Sequence, residues 1–410
     1  LLFLLDRRGG LNALDHASGE TLAQALLKAG VPPTSVVAFR NDDERIIPDD
    51  ERLHEAITYT ARLIEGYDIN GVRTLFQDEL GIREEPSAHE SHTLLKRRLA
   101  VDPTGALHTE RSRFDVDDTV THVQRTVGDT IRRYGLLLPS DKTIVLGLSG
   151  GVDSGSLLML LATAAKEQAE HRPRIVAGTF EDFDSRYSET FSNAAALAER
   201  FGVDHRFIPA ETAEHVFHLA RPIAQLLMRL METDDAHMAM YVDHHSTRRV
   251  LEVFADENDS PTVALGLHAT DLVAGMVNSW TSGHDVGPVP SRQVGPYRYV
   301  MPLCMIPKRE LHVYYTAVTG TVPDQTVPNQ WEFNPTDRNF HYFLADHLQW
   351  LWPGIQHWLF AALNSRPRTP AVFETCQNCR GSARVQFNAP TWSGLCDVCV
   401  LLDKYGWIIA

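Results

Sequence analysis

The chain has 410 residues, 43% of them apolar and 22% charged, which gives room for two or three domains with large cores and excludes a disulfide-stapled peptide, a collagen-like chain or wholesale disorder. Lys and Arg total 38 against 53 Asp and Glu, a net charge of −15, so the molecule as a whole repels phosphate backbones and any nucleic-acid binding must be local. Lys96-Arg97-Arg98, Arg132-Arg133, Arg248-Arg249 and the pair Arg366 and Arg368 are the candidates for it, although such clusters also serve as solvated helix faces. No apolar run approaches the roughly 20 residues of a bilayer span, and Leu1 to Leu5 is too short for a signal-peptide core and has no basic segment before it. A cytoplasmic protein that meets no membrane is expected.

Residues 1–68 read as a unit. Leu1 to Leu5 and Leu11 to Leu14 flank a Gly9-Gly10 turn and predict a hairpin; Leu22, Ala25, Leu26 and Leu27 stand at helical spacing; Val36 to Phe39 and Ile57 to Ile64 predict two further strands. This order, with Glu20-Thr21-Leu22, Ala29-Gly30-Val31-Pro32 and Ile46-Ile47-Pro48-Asp49-Asp50, resembles the β-grasp fold of ubiquitin and of the small sulfur-carrier proteins of thiamine and molybdopterin synthesis. Free carriers of that fold end in Gly-Gly and are activated at the terminal carboxylate, whereas Arg62-Leu63-Ile64-Glu65-Gly66-Tyr67 runs on into more chain. The expectation is a fixed docking or regulatory module, with cleavage after Gly66 as the alternative. Residues 69–113 are polar and hold His89, His92 and His108, which fit a linker or an incomplete metal site.

From Phe114 the pattern is helical, with Val116, Val120, Val123, Val127, Ile131 and Tyr134 in one stripe. Thr143 to Leu148 then predicts a strand that leads into Ser149-Gly150-Gly151-Val152-Asp153-Ser154, and Gly155 to Ala165 predicts a helix. Strand, glycine-rich turn and helix converge backbone N–H groups and a helix N-terminus on an anion. The glycines allow close approach, the hydroxyls of Ser149 and Ser154 add donors, and Asp153, a poor phosphate ligand by itself, implies Mg²⁺ between its carboxylate and a pyrophosphate. A second strand at Ile175 to Phe180, a helix at Ser185 to Phe201 and a strand at Thr262 to Leu267, followed by His268-Ala269-Thr270-Asp271, predict an open α/β sheet with its crevice at the strand tips.

Ser-Gly-Gly-x-Asp-Ser is similar to the PP-loop of the N-type ATP pyrophosphatases. The resemblance implies an α/β PP-loop ATPase (adenine nucleotide alpha hydrolase-like) domain with a parallel sheet over residues 114–365, and a reaction in which AMP is transferred to a substrate oxygen, pyrophosphate leaves, and a nitrogen or sulfur nucleophile displaces AMP. It implies an ATP site at Leu148, Ser149, Gly150, Gly151, Asp153 and Ser154, adenine at Thr179 and Phe180, and a nucleotide border at Gly266 and His268, with Leu267 in place of the usual His. Asp153 and Asp271 are the catalytic candidates, Asp271 for positioning or activating the nucleophile. Met301-Pro302-Leu303 with Pro307-Lys308-Arg309-Glu310-Leu311, and Phe333-Asn334-Pro335 ahead of Phe340 to Leu348 and Pro353-Gly354-Ile355, resemble the tRNA-thiolating branch. That implies an adenylating sulfurtransferase acting on tRNA or a small-molecule substrate, a sulfur-carrier protein as partner and a homodimer. A PP-loop ligase or thiolating enzyme of a small metabolite is the alternative, and a catalytically silent ATP-binding protein a third reading that intact Ser149, Asp153 and Ser154 argue against.

Members of that branch commonly hold a [4Fe-4S] cluster on three cysteines, but the matching places here are Tyr241, His244 and Trp331, so no cluster is expected. His237, Asp243, His244 and His245 stand in that region as a mononuclear metal site, acid/base groups or plain polar helix residues, and Cys304 in Pro-Leu-Cys-Met-Ile-Pro is an attacking thiol or an inert buried one. Cys376-x-x-Cys379 and Cys396-x-x-Cys399 aim four thiolates at one ion and predict a structural Zn²⁺ in a C-terminal zinc ribbon over 366–410, with a redox pair as the alternative. The neighbouring Arg380 and Arg384 fit either a docking point for RNA or a ribbon that only closes the domain.

Overall fold

The structure is a computed structural model, and it describes residues 1–5, 10–64, 97–101, 107–111, 115–167, 172–180, 188–230, 232–235, 238–282, 287–321, 335–365, 372–385 and 393–409. His89, His92, His237, Trp331, Arg366 and Arg368 lie outside the described residues. The chain opens with β1 (Leu2–Leu5), β2 (Leu11–Leu14), α1 (Leu22–Lys28), β3 (Val36–Arg40) and β4 (Tyr59–Leu63), then the antiparallel pair β5 (Arg97–Val101) and β6 (Leu107–Arg111) and α2 (Val116–Tyr134). There follow β7 (Thr143–Gly147), α3 (Val152–Glu167), β8 (Arg174–Phe180), α4 (Ser188–Phe201), β9 (Asp204–Ile208), α5 (Glu211–Phe217), α6 (Ile223–Leu230), α7 (Ala239–Asp256) and β10 (Thr262–Ala264). The remainder is α8 (Ala269–Ser282), β11 (Ser291–Val294), β12 (Tyr297–Val300), α9 (Lys308–Thr319), α10 (Pro335–Leu351), α11 (Ile355–Ser365), β13 (Val372–Thr375), β14 (Ser382–Val385) and α12 (Asp397–Lys404).

These elements form two compact units, the first Leu1–Thr126, His268–Val286 and Cys304–Ala362, the second Val127–Leu267, Gly287–Leu303 and Leu363–Ala410. In the first, four strands pair in the order β2-β1-β4-β3, with β1 and β4 parallel and the outer pairings antiparallel. Alternation sets the buried face: Leu2 and Leu4 on β1 and Tyr59, Ala61 and Leu63 on β4 point into one core. Thr21 and Gln24 cap α1 reciprocally, each side chain accepting the other's backbone N–H, and the helix lays Leu22, Ala25 and Leu26 on that core.

The core does not close on residues 1–64 alone. Phe343 of α10 sits inside it, 2% exposed, and Val313 of α9 packs with Val37, Phe39 and Ile64. Arg309 of α9 grips Asp49 with both terminal nitrogens, Nη1 at 2.9 Å and Nη2 closer still. Both side chains are buried, and the adjacent Glu310 lies 3.3 Å from His122 of α2. Thr34 donates to the Asp346 carbonyl of α10 at 3.0 Å. The polar segment 69–113, read above as a linker, contributes the paired β5 and β6, whose Leu99, Val101 and Leu107 are too few to announce strands by periodicity.

The second unit is built on a six-stranded sheet of order β11-β12-β10-β7-β8-β9, parallel except for β11. Ile144, Val145 and Leu146 of β7 are fully buried, the continuous apolar run of a strand covered on both faces. The chain leaves β7 for β8 and β9 on one side and returns to place β10 on the other, so β7 and β10 bound a topological switch point, where strand tips open a crevice for ligand.

Candidate functional site

At that switch point Leu148 to Gly151 turn the chain from β7 into α3. Ser154 Oγ accepts the Ser149 N–H at 3.1 Å and lies 3.0 Å from Ser149 Oγ, which accepts the Gly151 N–H at 3.4 Å. The serines thereby fold the loop onto the first turn of α3, and Gly150 takes a φ of +80°, which a side chain would disfavour. Neighbouring elements fasten the loop: Leu148 N–H bonds the Gly178 carbonyl at 2.9 Å, Thr179 Oγ1 donates to the Leu148 carbonyl at 2.6 Å, and Asn193 of α4 donates to the Gly150 carbonyl at 2.5 Å. The first N–H groups of α3 have no intrahelical acceptor, so the turn presents donors and the positive helix end to an anion. Gly266, just beyond β10, forms the opposite wall; a Cβ there would stand 3.3 Å from the Asp153 carbonyl carbon and the Ser154 nitrogen.

Thr179 is 1% exposed, and because its hydroxyl donates to Leu148 it must accept from His205 Nε2, 2.7 Å away. Its role is to hold the loop and His205, whose ring burial pushes its pKa below the ordinary value.

His268 and Asp271 belong to the first unit, at the head of α8. His268 is fully buried, its Nδ1 accepts the Asp271 N–H at 3.2 Å, and its Nε2 lies 3.2 Å from Asp271 Oδ2. Tyr342 of α10 donates to Asp271 Oδ1 at 2.7 Å. The adjacent Thr270 hydroxyl accepts from Lys308 N–H at 3.2 Å and Gln349 Nε2 at 3.1 Å. The Asp271 carboxylate is thereby met on both oxygens, Oδ2 by the His268 N–H at 3.3 Å and Oδ1 by Tyr342, and so fixed in orientation.

The β13–β14 turn and the start of α12 bring Cys376, Cys379, Cys396 and Cys399 together, all buried, with their sulfurs within 4.8 Å of one another. Hydrogen bonds with the other three thiols hold Cys379 below the usual thiol range and push Cys396 up; Cys399 is pushed up by its bonds with Cys376 and Cys379, and Cys376 is lowered to about 6, its raising bond with Cys379 outweighed by bonds with Cys396 and Cys399. Four buried sulfurs this close together fit a metal ion, which would allow all four to ionise. The group is braced from α7: Arg249 donates to the Cys379 carbonyl at 2.9 Å and to the fully buried Glu252, which Tyr299 of β12 also contacts. Cys304 stands apart, fully buried, its thiol pushed up by burial to about 12, which is the state of an inert thiol.

Residues 135–260, which hold β7, the loop, β8, β9 and α7, match the asparagine synthase family. The match covers this segment of the chain and takes in the loop between β7 and α3. The family comprises ATP-using, adenylating enzymes. No curated protein matches the sequence. Among solved structures, the U34-tRNA thiolase NcsA from Methanococcus maripaludis with its [4Fe-4S] cluster is 16% identical and aligns over 73% of this chain and 92% of that one, with a TM-score of 0.53, a likeness of fold. NMN synthetase from Francisella tularensis (16% identity, 63% of this chain, 99% of that one, TM-score 0.36) and NAD+ synthetase from Burkholderia pseudomallei (18%, 63%, 84%, 0.34) overlap it less.

The second unit thus holds Leu148, Ser149, Gly150, Gly151, Asp153, Ser154, Thr179, Phe180 and Gly266, while His268 and Asp271 form their own cluster in the first. Sequence reasoning did not find Asn193, His205 or Tyr342. Asn193 and His205 stand outside any motif, and Tyr342 lies within a helix predicted only as a helix. Of the histidine group, His245 is buried against the thiols, 3.6 Å from Cys396 Sγ, whereas His244 is exposed. Among the described residues, no helix is long and apolar enough to cross a membrane.

Proposed function

We propose that the protein is an ATP-dependent adenylating sulfurtransferase of the tRNA-thiolation kind. The observation that carries the reading is the loop at the β7–β10 switch point, with its paired serines, Asp153 and the glycine wall at Gly266. In this reading the loop and the head of α3 hold the β- and γ-phosphates. A substrate carbonyl oxygen attacks the α-phosphorus, the bond to the β-phosphate breaks, and pyrophosphate leaves with its charge taken by the loop donors. Sulfur then adds at the activated carbon and the carbon–oxygen bond breaks to release AMP. Mg²⁺, for which the half-buried Asp153 carboxylate at the head of α3 is the fitting ligand, would supply positive charge to the leaving pyrophosphate. Asp271, set by Tyr342 and His268, directs the sulfur nucleophile.

We read the Cys₄ group as a structural Zn²⁺ site and the enzyme as working without an iron–sulfur cluster. The even set of four buried thiolates leaves no ligand position open for chemistry, and Tyr241 and His244 stand where that branch carries cysteine. Residues 1–68 are read as a β-grasp-like module, supported by the β2-β1-β4-β3 order with one capped helix across it, and as a fixed part of the protein, supported by the Asp49–Arg309 pair and by Phe343. The net charge of −15 favours a second reading, a PP-loop ligase or thiolating enzyme acting on a small metabolite in place of tRNA. Incubation of the protein with ATP, Mg²⁺ and either bulk tRNA or a metabolite extract tests both. AMP and pyrophosphate formed only with RNA support the first reading, formation only with the extract supports the second, and ADP with phosphate sinks both.

A further inference from the structure

Among the described residues, the thiol group has a titratable neighbour that the ligand count does not use. His245, on α7, is 7% exposed, and its Nε2 lies 3.6 Å from Cys396 Sγ. Its Nδ1 lies 3.2 Å from Arg248 Nη2 on the same helix. A guanidinium only donates, so Nδ1 must be the bare, accepting nitrogen, and the neutral ring then carries its proton on Nε2, facing the sulfur. A metal-bound thiolate has no proton to give and can only accept, which matches that tautomer. The ring is held in place by Phe217 and Tyr241, with centroids 6.0 and 6.1 Å away. Two other sulfurs are served alike: Cys376 Sγ accepts from Cys396 N–H at 3.3 Å and Cys399 Sγ from Asn378 Nδ2 at 3.4 Å.

We propose that His245 is a positioning residue of the Cys₄ metal centre, donating Nε2–H to Cys396 Sγ so that α7 of the PP-loop domain holds and tunes the metal–thiolate bonds. The proposal rests on the reading of the four cysteines as a metal site. His245 lies outside the four ligands, since four sulfurs already complete a tetrahedron. By withdrawing charge from Cys396 the N–H bond lowers its tendency to be protonated or alkylated, and it gives the metal centre a direct tie to the helix whose Val250 and Phe254 are buried with the sheet. The chemistry is that of an outer-sphere histidine on a thiolate metal, a place where loss of the partner costs about tenfold or more in metal affinity.

Cobalt substitution reads this without any substrate. Wild-type protein loaded with Co²⁺ should show a tetrahedral, four-thiolate spectrum. In His245→Phe, which keeps an aromatic ring between Phe217 and Tyr241, the four-thiolate signature should persist, the thiolate-to-cobalt band should move to lower energy, and the affinity for metal in chelator competition should fall about tenfold. His245→Gln, which retains an N–H donor, should recover part of both effects. A His245→Phe protein with the wild-type band and affinity would overturn the proposal, as would loss of one ligand from the spectrum, which would make His245 a ligand. Wild-type protein that gives no four-thiolate spectrum would overturn the reading of the metal site itself, and the proposal with it. Should His245→Phe not fold, ¹⁵N-histidine labelling of the zinc-loaded wild type decides: an Nε2–H tautomer is expected, and an Nδ1–H tautomer refutes the proposal.

Discussion

Replacing Asp49 by Ala removes one half of an ion pair that is shut off from water. Asp49 is 0% and Arg309 4% exposed, and the guanidinium meets both carboxylate oxygens. The substitution leaves a buried cation without its ion-pair partner, and breaking such a pair from one side costs about 3–5 kcal/mol, a large share of the ~5–15 kcal/mol that holds a domain folded. The first unit has about 200 residues, a size at which each kcal/mol lowers the melting temperature by roughly 2–4 °C, so Asp49→Ala should melt about 10 °C earlier by calorimetry. The double variant Asp49→Leu with Arg309→Met should recover most of that loss, because a well-packed apolar pair is often as stable as a buried ionic one. A single variant that melts within about 2 °C of wild type, the shift of an ordinary surface substitution, would refute the claim that Arg309 fastens residues 1–64 to α9. The same reasoning predicts that deleting residues 1–64 uncovers Phe343, Val313 and Arg309 and yields aggregated protein; a soluble truncated chain with an unshifted melt would contradict it.

Four further outcomes are expected. Asp153→Ala should abolish turnover and Mg²⁺-dependent ATP binding, measured by calorimetric titration, with the fold unchanged by circular dichroism. Gly266→Ala should raise the KM for ATP several-fold, because its Cβ would press at 3.3 Å on the backbone of Asp153 and Ser154, whereas a wild-type KM would show that this wall does not abut the nucleotide. Tyr342→Phe should lower kcat about tenfold, the worth of a hydrogen bond to a charged group of ~1.5 kcal/mol or more, while the KM for ATP stays put; equal changes in both would contradict its role as a support for Asp271. Cys304 should resist maleimide at pH 8 in the native protein and react once unfolded, since burial pushes its thiol up to about 12.

Much of the sheet was legible because a buried parallel strand leaves an apolar run and the glycine-rich turn leaves a hexapeptide: Thr143 to Leu148, Ile175 to Phe180 and the turn at Ser149 to Ser154 lie where the pattern put them. The strand and helix order of residues 1–64 was legible for the same reason, since period two and period 3.6 are local signals. The long-range contacts were not. Asp49 and Arg309 are 260 positions apart, and an acid in a turn and a base on a helix each read as solvated groups until the fold buries them. His245 read as one of four polar residues, with His237, Asp243 and His244; only the return of the chain at Cys396 selects it over its exposed neighbour His244. Tyr342 likewise gains its meaning from Asp271, a residue on another helix.

Nucleoside mass spectrometry of tRNA incubated with the purified protein, ATP, Mg²⁺ and a sulfide source tests the central claim most directly. The account predicts one base that exchanges a carbonyl oxygen for sulfur, with one AMP and one pyrophosphate released per sulfur gained, and neither in Asp153→Ala protein. RNA that stays free of new sulfur while AMP and pyrophosphate accumulate would contradict it.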